Sequence, residues 1–117
     1  MRLQHANVVI PKGTTETVAA FYEQVLGLRR IAKPEVLAKN AGAWFDVDGF
    51  AQVHLSERDG ERHPDSHFAL LVDDFAATLR RIAEAGAEWT EQEDVFGGRR
   101  GFTRDPAGNR IEVLERA

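Results

Sequence analysis

The chain has four histidines and no cysteine, so a metal ion or a nucleophile here must rely on nitrogen and oxygen donors alone. Three of the histidines, His5, His54 and His67, lie in stretches where polar and apolar residues alternate, and so does the carboxylate Glu112. Neutral imidazole and carboxylate together suit one divalent metal ion of the Zn, Ni, Co, Mn or Fe type. Four or fewer protein ligands on a six-coordinate ion leave adjacent positions open to a small substrate. The ion would then act as a Lewis acid toward charge developing on that substrate. Glu112 is the one carboxylate expected on the same sheet face as the histidines, which makes it the candidate proton-transfer group as well as a ligand. His63 sits beside Pro64 in a polar stretch and reads as a solvated loop residue.

Strand alternation supports this grouping, because successive side chains point to opposite faces of a sheet. Ala6, Val8 and Ile10 form an apolar row, leaving His5, Asn7 and Val9 on the other side. In the same way Ala51, Val53 and Leu55 separate from Gln52, His54 and Ser56. Phe68, Leu70 and Val72 separate from His67, Ala69 and Leu71, and Ile111 and Val113 separate from Arg110, Glu112 and Leu114. A single strand histidine is ordinarily a hydrogen-bonded structural residue, and Glu112 alone could be a surface carboxylate paired with Arg110. His54 is open to two roles, as a ligand or as a residue that orients one. Four such residues on one face favour a metal site, with Asn7, Gln52 and Ser56 placed to orient the imidazoles. Asn7, Trp44, Arg100 and Phe102 are candidates for substrate contact. Arg99 and Arg104 are further candidates, against the plainer alternative that the arginines are solvated.

The elements that must position these residues occur twice. Leu3 to Ile10 reads as a strand ended by Pro11-Lys12-Gly13. A helix follows, capped by Thr14 or Thr15, with Val18, Phe21, Tyr22, Val25 and Leu26 on one stripe and Gly27 as its stop. Three strands come next, at 28–32, 42–47 and 51–56, while 34–41 is either a helical turn or a loop. After a polar connector at 58–66 the order repeats: a strand at 67–72, a helix capped by Asp73 or Asp74 that ends at Gly86, and strands at 87–90, 99–104 and 110–115. The last two are joined by Asp105-Pro106-Ala107-Gly108-Asn109. The expected fold is α+β, a single domain over 1–117. It holds two βαβββ modules, about 1–57 and 67–117, whose strands form a curled mixed sheet, a half-barrel with the helices outside.

Composition narrows the function classes. Hydrophobic residues make up 43% of the chain, enough for a core without covalent links. Fifteen basic and 19 acidic residues give a formal charge of -4 without long same-sign runs, which argues against nucleic acid or an anionic membrane as partner. No stretch approaches the ~20 apolar residues of a membrane span or carries a signal-peptide core, so a cytoplasmic location is expected.

The chain resembles the vicinal oxygen chelate superfamily, which includes glyoxalase I, extradiol dioxygenases, fosfomycin-resistance thiol transferases and bleomycin-binding proteins. The resemblance rests on Leu3-Gln4-His5-Ala6-Asn7-Val8-Val9, on Phe21-Tyr22 with Val25-Leu26-Gly27-Leu28, on the run Ser66 to Asp74 that begins Ser66-His67-Phe68, and on Asp105 to Glu112. It spans nearly the whole chain. It implies metal ligands at His5, His54, His67 and Glu112, a small-molecule substrate, and a homodimer in which modules pair within one chain or across two. Glyoxalase I usually has glutamate or glutamine where this chain has His54. The implied activity is a glyoxalase-type lyase or isomerase. The alternatives are an extradiol-type dioxygenase, a fosfomycin-type thiol transferase, or a non-enzymatic drug-binding protein.

Overall fold

The β-branched run at the start forms strand β1 (His5–Ile10), and α1 (Thr15–Gln24), β2 (Arg29–Ile31), a 3₁₀ turn (Glu35–Leu37), β3 (Ala43–Asp46) and β4 (Gln52–Glu57) follow in the computed structural model. The same order returns as β5 (His67–Val72), α2 (Phe75–Glu84), β6 (Thr90–Gln92), β7 (Arg100–Arg104) and β8 (Arg110–Glu115). The structure describes residues 1–116. The chain divides into two compact units, Met1–Arg62 and His63–Ala117, each holding one βαβββ module. No helix among the described residues is long and apolar enough to cross a membrane.

In the first unit the strand order is β1-β4-β3-β2, with β1 parallel to β4 and the other neighbours antiparallel. The second repeats it as β5-β8-β7-β6, with β5 parallel to β8. One face of each sheet is covered by its helix. Val18, Ala19, Phe21 and Tyr22 of α1 are buried with Ile10, Phe45, Val53 and Leu55. Phe75, Thr78 and Ile82 of α2 are buried, as are Leu70, Ile111 and Val113 of the second sheet. Fully burying one such side chain contributes about 1.5–3 kcal/mol, which is why the apolar row of each strand determines the face its polar row must take.

Several boundaries differ from the sequence expectation, each for a local reason. Leu28 donates its N–H back to Tyr22 O at 3.0 Å, and Ala87 donates to Ile82 O at 3.1 Å. Both residues therefore complete a helix end and cannot pair with a neighbouring strand, so β2 and β6 begin later, at Arg29 and Thr90. The predicted β6 at 87–90 is thus corrected to Thr90–Gln92. Asp74 caps α2 as expected, accepting from Ala77 N at 3.0 Å. At α1 neither threonine serves as the side-chain cap. The carboxylate of Glu57, at the end of β4, instead accepts from Gly13 N at 2.9 Å, Thr15 N at 3.2 Å and Thr15 Oγ1 at 2.6 Å. Those bonds, that of Thr15 Oγ1 foremost, hold the Glu57 carboxyl below its usual pKa. The ambiguous 34–41 stretch holds the short 3₁₀ turn, with Val36 largely exposed.

Candidate functional site

In the first unit a tight turn determines which side chains meet. Asp46 accepts from Gly49 N, and Asp48 accepts from Phe50 N and Ala51 N, closing the β3–β4 hairpin. The register that follows sets Trp44 opposite His54, and the parallel β1–β4 register sets His54 opposite Asn7 and His5 opposite Gln52. The rings of Trp44 and His54 stack with centroids 3.7 Å apart and 3° between planes, and those of His54 and His5 stack at 4.2 Å and 17°. A column of three rings therefore runs across three neighbouring strands.

His54 is 6% exposed. Its pKa is lowered to about 4, first by burial and then by the charge of His5, so the ring is neutral at neutral pH. That is the form that binds metal. With the glutamine amides as oriented here, His54 Nε2 donates to Gln52 Oε1 at 2.8 Å and His5 Nδ1 donates to Gln4 Oε1 at 2.6 Å, because a carbonyl oxygen only accepts. The lone pairs of His54 Nδ1 and His5 Nε2 are left for another partner. Ser56 Oγ donates to Asn7 Oδ1 at 2.6 Å. Asn7, Trp44, His54 and Ser56 all line a cleft of about 710 Å³ within this unit.

In the second unit the buried Asp105 organises the corresponding turn. Its carboxylate accepts from Ala107 N and Asn109 N, each at 2.9 Å, and from Asn109 Nδ2 at 3.0 Å. The register then sets Phe102 opposite Glu112 and His67 opposite Arg110, the same positions that Trp44, His54, His5 and Gln52 hold in the first unit. Glu112 is 6% exposed. Its Oε1 accepts from Arg100 Nη1 at 2.9 Å, and its Oε2 lies 3.3 Å from His67 Nε2. Phe102 meets the His67 ring edge-on at 5.0 Å.

The tautomer of His67 follows from its other contact. His67 Nδ1 lies 2.9 Å from the backbone oxygen of Asp65, which can only accept, so Nδ1 carries a proton. In the neutral ring the Nε2 lone pair then faces a carboxylate oxygen. Two acceptors opposed in this way call for a proton or a cation between them, and a backbone carbonyl behind the far ring nitrogen is the usual support of a metal-binding histidine.

The arginines are held by acceptors within the second unit. Glu112 pairs with Arg100 and not with Arg110, whose guanidinium lies 3.6 Å from the Phe102 ring centroid and 3.8 Å from Asp65. Arg100, proposed from sequence as a substrate contact, also donates from Nε to Glu93 O at 2.7 Å. Arg99 is held by Glu91 and Arg104 by Pro64 O, Gly108 O and Glu88. Sequence reasoning missed the Arg100–Glu112 pair, although alternation along β7 and β8 puts the two on one sheet face. The expected ligands thus come together as His5 with His54 in one unit and His67 with Glu112 in the other. Neither unit alone gathers three such groups among its described residues. The donor chemistry fits a divalent ion, since three imidazoles have one nitrogen anchored on an acceptor, and the other nitrogen of His67 faces the Glu112 carboxylate.

The Glyoxalase/Bleomycin resistance protein/Dioxygenase superfamily model matches residues 2–113. The chain belongs to that superfamily. Within it, a solved Bacillus anthracis protein assigned to the glyoxalase family is 30% identical with a TM-score of 0.89, the match covering 100% of this chain and 96% of that one. TnmS3, an antibiotic binding protein from Streptomyces sp. CB03234, is 21% identical with a TM-score of 0.78, covering 100% and 97%. A lactoylglutathione lyase from Agrobacterium tumefaciens is 21% identical with a TM-score of 0.70, covering 97% and 92%. At 21% identity the likeness is one of fold. No curated protein matches the chain in sequence.

Proposed function

We propose that this member of the superfamily is a metal-dependent lyase or isomerase of glyoxalase type, acting on a small substrate that binds through two neighbouring oxygens. The observation that carries it is the His67–Glu112 pair, in which an imidazole with its proton held on the far nitrogen faces a buried carboxylate oxygen at 3.3 Å. His5, His54, His67 and Glu112 would hold a Zn, Ni, Co, Mn or Fe ion. Once bound, that ion supplies Lewis-acid stabilisation of charge developing on the substrate oxygens. Arg100 holds Glu112 Oε1, leaving Oε2 as the oxygen that takes up and returns the substrate proton. Trp44 and Phe102 occupy equivalent register positions beside the ligands and would contact the substrate, with Asn7 as a hydrogen-bonding neighbour. The proposal includes a homodimer in the cytoplasm.

A second function, non-enzymatic binding of a flat small molecule, is favoured by the stacked Trp44–His54–His5 column and by the shared fold with an antibiotic binding protein. Turnover separates the two. Metal-stripped protein reconstituted with each of the five ions is assayed against adducts of 2-oxoaldehydes with thiols. At least one ion is expected to restore turnover, and Glu112→Gln to lose about 100-fold or more. Full turnover by metal-loaded Glu112→Gln contradicts the role of Glu112. Equal drug affinity with and without metal, and no turnover, supports the binder instead.

A further inference from the structure

We infer that the cleft of the first unit takes a small organic anion, a carboxylate or phosphonate attached to a flat apolar group. The inference deepens the function proposed above by naming what its substrate carries. The cleft, about 710 Å³, lies in the size range of small-molecule sites. Its lining is charged in a sense opposite to the chain as a whole. Lys12, Lys33, Lys39 and Arg58 line it against one carboxylate, Glu57, whereas the whole chain carries a formal charge of -4. Glu57 is committed elsewhere, accepting from Gly13 and Thr15 at the start of α1.

The cations differ in how they are held. The Lys33 ammonium donates to Asn40 O and to Ala41 O, which fixes it against the segment that forms one side of the cleft. Two of its three N–H groups are used in this way and the third remains. Lys39 has no hydrogen-bond or ion-pair partner among the described residues. Lys12 pairs with Asp59 at 3.4 Å where both are well exposed, a contact of little strength. The same cleft offers Trp44, Leu37 and the His54 ring to an apolar body. Cationic and apolar lining together select an amphiphilic anion, and a charge-assisted bond is roughly twice as strong as a neutral one.

The test uses metal-stripped full-length protein, so that neither metal binding nor turnover enters it. Trp44 and Trp89 give two indole N–H signals, which are followed by NMR while benzoate, phenylphosphonate or the uncharged benzamide is added. Both anions are expected to shift the Trp44 signal and leave that of Trp89 in place, with benzamide about tenfold weaker or worse. Lys39→Gln should weaken benzoate by about three- to tenfold and Lys39→Arg much less, while 0.5 M salt, about the reach of strong screening, should weaken it in the wild type. Lys33→Gln should add to the loss, and Lys39→Gln keeps the test sound if that variant loosens the 33–41 segment. Benzamide binding as tightly as benzoate, no loss in Lys39→Gln, or no Trp44 shift with either anion overturns the inference.

Discussion

Removing Arg100 should expose how strongly the site depends on neutralising Glu112. In metal-free protein Arg100→Met leaves a carboxylate that is 6% exposed, with His67 Nε2 at 3.3 Å as its remaining charged or polar neighbour across the sheet. The Arg100 side chain is itself only 16% exposed, so the pair is largely out of water. Breaking one partner of such a pair costs about 3–5 kcal/mol, and we take about 3 kcal/mol because His67 can share part of the charge. For a chain of this size that corresponds to a fall in Tm of about 10 °C or more. Urea unfolding and calorimetry in the presence of a chelator measure it. The double variant Arg100→Met with Glu112→Leu should cost less than Arg100→Met alone, since no charge is stranded. Excess metal at about 100 times its Kd should return close to 3 kcal/mol to Arg100→Met. A loss under about 1 kcal/mol in the single variant, or a double variant worse than the single, would refute the view of Glu112 as a desolvated charge that Arg100 holds.

Acid should destabilise the metal-free protein through His54. Its pKa falls from an ordinary 6.5 to about 4 on folding, so between those values the unfolded chain binds a proton that the folded one does not. Stability is therefore flat with respect to this group above pH 6.5, declines as pH drops toward 4, and loses up to about 3 kcal/mol in all. Urea midpoints across that range should show the decline in the wild type and a shallower one in His54→Gln. Gly101→Ala should cost about 1–3 kcal/mol, because a Cβ there would lie 2.4 Å from Trp89 Cζ2 and 2.6 Å from Thr90 O; thermal melts measure it against the wild type.

What the sequence discloses follows the range of the interaction involved. β5 and β8 have the predicted bounds, since alternation along His67–Val72 and Arg110–Glu115 is a local property. The same alternation sets His5, His54, His67 and Glu112 on the polar rows of their strands. The Glu57 cap on α1 acts across 42 residues and leaves no local trace in Thr14-Thr15-Glu16. Arg110, two residues away on the same strand, is the partner for Glu112 in the plainer alternative that the sequence leaves open. The register of β7 against β8, which sequence does not specify, brings Arg100 to the carboxylate and sends Arg110 over Phe102. Lys33 and Lys39 of the cleft lie in 33–41, a stretch with neither a helical nor a strand period, so nothing in their spacing assigns them a direction.

Metal content of protein expressed and purified without added ions is the most direct test. Elemental analysis should find one equivalent of a divalent transition metal per site, removed by a chelator, regained from one of the five candidate ions, and lost in both His5→Ala and His67→Ala. Protein that arrives without metal and takes up none of the five to stoichiometry would contradict the assignment of His5, His54, His67 and Glu112 as ligands.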